Sequence, residues 1–173
     1  MEEVGALAPA ESRRNSALIL ALAIVVTAGV ALATPVPVLA VSDGAREVLC
    51  PWEQDEALEY SYRQSIYEVA VYEEFSRGAG GFSYLEVRSP DIRSIEYFGW
   101  RGVEPRRRDD GLWAAYPPTI DVADLLIRIT PAGRQRLRTA RWDLELRPAF
   151  GEAVVHVTAT YRPLLLALLG ARG

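Results

Sequence analysis

The sequence predicts a mostly β fold, an antiparallel β-sandwich or open barrel of about seven to nine strands, preceded by one N-terminal transmembrane helix. Three observations predict it. Apolar and polar residues alternate with a period of two repeatedly after residue 45, the pattern of strands with one buried face. Glycine and proline clusters punctuate these runs and supply the turns that antiparallel neighbours need. One apolar run near the N-terminus, free of charge from residue 16 to residue 40, shows neither feature.

The clearest strand covers residues 151–161, with Ala153, Val155, Val157, Ala159 and Tyr161 on one face and Glu152, Val154, His156, Thr158 and Thr160 on the other. Over residues 67–75, Tyr67, Val69, Val71 and Phe75 alternate against Glu68, Ala70, Tyr72 and Glu74; over 141–147, Trp142, Leu144 and Leu146 alternate against Asp143 and Glu145. Shorter strands are expected at 46–52, 58–63, 82–88, 95–100, 112–116 and 125–130, with 134–138 a further candidate. Gly78-Ala79-Gly80-Gly81, Asp110-Gly111 and Pro131-Ala132-Gly133 read as the turns between them. Helix is expected only at the end, where Pro163 opens an uncharged leucine-rich stretch, 164–169. That stretch is too short to span a bilayer, so it should dock on the domain or touch a membrane surface.

The N-terminal run, ALILALAIVVTAGVALA over residues 17–33, lacks the polar face of a core helix. Residues 16–34 are read as a transmembrane anchor or signal peptide, stopped by Pro35 and Pro37. At 1.5 Å per residue such a helix spans nearly 30 Å, about one hydrocarbon core. Arg13 and Arg14 precede it and should stay in the cytoplasm, which sends the rest of the chain outward. Ala31-Leu32-Ala33 offers a cleavage pattern, but the run is longer than a signal peptide's usual apolar core, which favours a retained anchor. The organisation expected is a cytoplasmic tail at 1–15, the apolar segment at 16–34, a linker at 35–44 and an extracytoplasmic β domain at 45–173. The localisation is then the cell membrane, single-pass, with secretion after cleavage as the alternative.

Charge excludes nucleic acid as a partner: the net charge is -4, and neutralising phosphates needs a basic face. All 19 basic residues are arginine. Cys50 stands alone, so it forms no disulfide within the chain and no thiolate zinc cluster. Leu49 before it, and Asp43, Arg46 and Glu47 between it and the apolar run, argue against lipid attachment.

No catalytic motif emerges, so no enzyme activity and no cofactor or metal are expected. The sole histidine, His156, sits on a polar strand face and would need Ser65 and a carboxylate to form a hydrolytic triad, yet no nucleophile-elbow sequence surrounds Ser65. Glu68, Glu73, Glu74, Asp109 and Asp110 lack the spaced oxygen ligands of a calcium loop. Arg106, Arg107 and Arg108 form the densest positive feature, and guanidinium groups grip carboxylates bidentately. Glu104, Asp109 and Asp110 flank them, so a screened surface loop competes with an anion site. Tyr97, Phe98 and Trp100, with Trp113 and Tyr116, form an aromatic cluster beside Arg101 that either lines a pocket or packs the core, the second being the stronger reading.

The stretch YSYRQSIYEVAVYEEF at 60–75, followed by YFGWRG at 97–102, resembles the uncharacterised prokaryotic family called domain of unknown function 1850. The resemblance covers about a third of the chain and carries Ser65, Glu73 or Glu74, Phe98, Gly99 and Gly102 as matching positions. Gln64 stands where that family usually has histidine, so no imidazole role transfers. The resemblance implies an extracytoplasmic accessory role beside tripartite (TRAP-type) transporters, whose solutes are commonly carboxylates. Transporter subunits and a small carboxylate ligand are therefore the expected partners. Ser65, Glu73, Tyr97, Phe98, Gly99, Trp100, Arg101 and Arg106 to Arg108 are the candidate binding residues. A sensory β module that binds a small anion is the alternative, and a serine-type hydrolase the weakest reading.

Overall fold

The computed structural model describes residues 10–170. These open with helix α1 (Ala10–Ala33) and pass after Thr34 into strand β1 (Pro35–Ser42). The strands that follow are β2 (Glu47–Pro51), β3 (Leu58–Arg63), β4 (Ala70–Gly78) and β5 (Gly81–Ser89). After a short helix α2 (Ile92–Glu96) come β6 (Arg106–Arg107), β7 (Trp113–Ala115), β8 (Asp121–Val122), β9 (Asp124–Arg128), β10 (Arg136–Arg138) and β11 (Asp143–Glu145). Helix α3 (Leu146–Phe150), strand β12 (Val154–Pro163) and helix α4 (Leu164–Gly170) complete the described residues.

The strands form two antiparallel sheets, one of four strands in the order β2-β1-β12-β9 and one of eight in the order β11-β10-β3-β4-β5-β7-β6, with β8 paired to β5. Alternation decides which side chains meet between them. Leu39 and Val41 from β1 and Val155 and Val157 from β12 face Leu58, Phe75, Phe82 and Leu137 of the larger sheet in one core. Trp52 is wholly buried there, stacked on Phe82 at 5.3 Å between centroids, with its indole N–H donated to the Glu56 carbonyl. Arg77 of β4 donates to the Val38 and Thr160 carbonyls of the smaller sheet at 3.1 and 3.2 Å, with its guanidinium over the Trp52 and Tyr161 rings. A second apolar cluster, Val71, Val87, Ile95 and Ala115, extends the larger sheet's inner face beneath α2.

The mostly β antiparallel architecture expected from the alternation is present, and four parts of the reading need correction. The expected linker at 35–44 is β1, an interior strand of the smaller sheet, with Val38, Leu39, Ala40 and Val41 all buried. Its prolines sit at the strand's start, where a missing N–H costs least. The strand expected at 95–100 is α2 and a turn: Asp91 accepts the Arg93 backbone N–H at 3.0 Å as N-cap, and Gly99 at φ +65° closes the exit. The 141–147 strand stops at Glu145 and becomes α3. The alternation at 67–69 belongs to the turn before β4, where Glu68 adopts φ +55°.

From Leu18 onward every described side chain of α1 is exposed, with Ile19, Leu22, Val25 and Val30 each 65% or more accessible. No helix among the described residues is long and apolar enough to cross a membrane. Residues 1–9 of the tail, and the side chains of Arg13 and Arg14 that would orient α1, lie outside the residues described.

Candidate functional site

The outer face of the eight-stranded sheet is polar because its strands alternate. Leu137 of β10 and Leu58 and Tyr60 of β3 point to the core, which turns Arg136 and Arg138, and Glu59 and Ser61, the other way. Register brings these together: Arg136 faces Ser61 and Arg138 faces Glu59. With Tyr72 of β4, Arg134 from the turn before β10, and Arg147 and Pro148 of α3, they line an open recess of about 980 Å³. Four arginines there oppose two carboxylates, Glu59 and Glu145.

The carboxylates are already engaged. Glu145 pairs with Arg136, whose guanidinium also meets Asp143 at 3.1 Å; the Glu145 hydrogen bond, followed by the Asp143 charge, raises the Arg136 pKa. Glu59 accepts from Arg88 at 2.7 Å, and Arg88 also reaches Glu74 and Glu86 at 3.4 and 3.3 Å. Arg147 meets Glu152 at 3.5 Å. Arg134 and Arg138 have no carboxylate partner among the described residues.

Backbone geometry holds one of these free arginines in place. Arg134 adopts φ +48°, a conformation that non-glycine residues rarely occupy and that persists only when its surroundings enforce it. Gly133 before it donates to the Thr130 carbonyl at 3.2 Å and accepts the Arg63 N–H at 2.6 Å. The buried Gln135 side chain lies over the Gly133 Cα, where a Cβ would clash with it, and donates to the Arg128 carbonyl at 3.0 Å. Glu68, the second non-glycine residue with positive φ, faces Arg134 across an adjoining cleft of about 310 Å³ that shares Ser61 and Tyr72 with the recess. Both left-handed side-chain-bearing residues among those described therefore border one surface.

The residues singled out from sequence lie elsewhere and divide into separate places. Glu73 is on the inner face of β4, where the Tyr84 hydroxyl donates to it; burial raises its pKa against the lowering effect of Tyr84 and Tyr62. Burial, followed by the Glu73 charge, also raises Tyr60, Tyr62 and Tyr84. Trp100 packs on Tyr84 at 5.3 Å and Phe98 on Trp100 at 4.9 Å; Tyr116 is exposed, while with Trp113 these two lie half-buried against the second apolar cluster. Beside it, Gly99 and Trp100 border a hollow of about 180 Å³, while Tyr97 and Arg101 are exposed. Ser65 lies exposed in the β3–β4 turn. Of the arginine run, Arg106 is exposed, Arg107 stacks on Trp113, and Arg108 is held by Glu86 at 2.6 Å and Asp110 at 3.2 Å. His156 meets Asp124 at 3.4 Å on an exposed face. No group of three His, Cys, Asp or Glu side chains is placed to hold a metal ion among the described residues.

The recess arginines carried a signal in the sequence: Arg134, Arg136 and Arg138 at spacing two place three guanidinium groups on one side of an extended segment. Comparison with protein families, curated proteins and solved structures gives no match for this chain.

Proposed function

We propose that this protein is a membrane-tethered extracytoplasmic β module that binds a small carboxylate or similar anion in the recess between β3, β10 and α3. The observation that carries the reading is that Arg134 and Arg138 point to one concavity without carboxylate partners of their own among the described residues. Planar guanidinium groups recognise carboxylates bidentately, and Ser61 and Tyr72 add hydroxyl groups within the same lining. With Arg136 and Arg147 already paired to carboxylates, Arg134 and Arg138 leave two guanidinium charges for a ligand, which suits a dianion.

The exposed apolar surface of α1 supports the tether, with the β domain outside the cytoplasm as the sequence orients it. Cleavage after Ala33 would leave β1 whole; the mass of the mature chain separates anchor from secreted product. The family resemblance supports an accessory role beside a TRAP-type transporter that handles carboxylates, and the recess is a place where such a solute would be held.

A thermal-shift titration of the full chain in mild detergent with malonate, succinate and citrate tests the binding. The expected result is a concentration-dependent rise in Tm that Arg138→Ala abolishes and Arg101→Ala retains. Equal shifts in all three proteins would reject the recess.

A further inference from the structure

Strands β1 and β12 pair antiparallel from Pro35 opposite Pro163 to Ser42 opposite His156. The end of β1 that receives α1 is therefore the end of β12 that releases α4. The two helices are joined at that point: the Leu164 backbone N–H donates to the Thr34 carbonyl at 2.9 Å, and α1 and α4 touch. Only Thr34 separates α1 from a fully paired strand, so the sheet follows α1 with no slack between them.

Helix α4 is uncharged from Leu164 to Gly170. It covers the outer face of the four-stranded sheet with one residue, Ala167, packed on Val38, Ala40 and Leu49, and Gly170 lies against Leu49. Leu165, Leu166, Leu168 and Leu169 remain 45–60% exposed. A docking helix normally buries its large residues and exposes polar ones; here the small residue is buried and the large ones face out. Seven residues at about 1.5 Å each cannot cross a bilayer, whereas a helix that turns an apolar face outward can bury that face at the headgroup boundary.

We propose that α4 lies on the lipid surface beside the point where α1 enters it, so that the outward leucines dip into the interface and fix the tilt of the β domain. The occupant of this face is lipid, because the apolar side chains of α1 expose the same chemistry and continue directly from it. This rests on the tether reading given above. It goes beyond it by replacing a swinging domain with one held at two points.

The test uses the full chain in nanodiscs of phosphatidylcholine and phosphatidylglycerol, with a nitroxide at Leu168→Cys, at Leu22→Cys in α1, or at Leu126→Cys on β9. Cys50 is buried, so labelling goes to the introduced thiol. Collision rates with oxygen and with a water-soluble nickel chelate are then measured. The expected result is oxygen-dominated collision at positions 22 and 168 and nickel-dominated collision at 126. Lipid exposure at 22 with water exposure at 168 overturns the inference and leaves the tether standing. Water exposure at 22 removes both. Shielding of position 168 from both reagents, with dipolar coupling between labels, assigns the face to a second copy and also overturns the inference.

Discussion

Tyr84 donates its phenolic hydrogen to the carboxyl of Glu73 across the β4–β5 pair, on the side of the sheet that faces the core. Val71 and Phe75 flank Glu73 on the same face of β4 and are buried, so an ionisable group sits in an apolar row. Burial raises its pKa above the ordinary 4.5. The folded chain therefore holds this proton more tightly than the unfolded chain. Stability from the group is fully present below about pH 4.5 and declines as pH rises toward the raised folded value. Glu73→Gln keeps a hydrogen-bonding partner for Tyr84 and removes the titration. The variant is expected to gain about 3–5 °C in Tm at pH 8 and little at pH 4, in thermal melts across that range. A gain that is the same at both pH values would show that folding leaves the Glu73 pKa unshifted.

Arg138→Ala and Arg134→Ala are expected to weaken anion binding by roughly 10-fold or more each, the cost of one charge-assisted hydrogen bond. Arg134→Ala should also destabilise the turn little, because alanine tolerates φ +48° as poorly as arginine does. Arg134→Gly then separates conformation from charge: it relaxes the backbone and still loses the ligand. Calorimetric titration with succinate reads both effects. A glycine variant that binds as the parent does would assign Arg134 a purely structural role.

The strands with long alternation were legible because period two survives wherever one face is buried, as Val155 and Val157 against His156 illustrate. Strand β1 was hidden by its own composition. PVPVLAVS is apolar on both faces, since one side meets the main core and the other meets α4, and two prolines mimic a linker. The 95–100 segment misled because its aromatics suit a strand, whereas the Asp91 cap and Gly99 decide for a helical turn. The arginine-lined recess is hard to read from sequence for a physical reason. A dense arginine run draws notice, yet Arg108 is neutralised by Glu86 across the sheet, while the spaced Arg134 and Arg138 are left free. Sequence shows charge density but not pairing between distant strands.

Gly81 closes the β4–β5 hairpin at φ +150°, with the Val122 and Ala123 carbonyl oxygens packed where a side chain would project. Both backbone strain and steric overlap oppose any Cβ there. Gly81→Ala is expected to destabilise the fold by about 2–4 kcal/mol, read as a lower urea midpoint. Gly80→Ala is the control, because nothing lies within 4 Å of its Cβ position. Equal midpoints for the two variants would show that β8 can move aside.

Cys50 lies in the core beneath the smaller sheet, and burial pushes its thiol up to about 11. At pH 8 the thiolate fraction is then about one in a thousand, and only the thiolate reacts. Iodoacetamide is expected to leave the native chain unmodified over hours and to alkylate it at once in denaturant, as mass spectrometry would detect. Rapid native labelling would mean that β2 opens from the sheet edge.

Arg77 is the only side chain of β4 that bonds backbone atoms of the opposite sheet among the described residues. Its aliphatic stem crosses the core and its guanidinium lies between Trp52 and Tyr161, at 5.1 and 5.2 Å from the ring centroids. Two contributions are separable there. One terminal nitrogen, Nη2, donates to two carbonyls from different strands, and the flat cation stacks on two rings. Lysine keeps the charge and a donor nitrogen but lacks the flat face that lies over both rings, so it restores only part of the loss. Arg77→Ala is expected to cost about 3 kcal/mol, because it removes the charge-assisted hydrogen bonds and the stacking on both rings at once. Arg77→Lys should recover less than half of that in urea denaturation. Full recovery by lysine would reduce Arg77 to a point charge and leave the cohesion of the two sheets to their apolar packing alone.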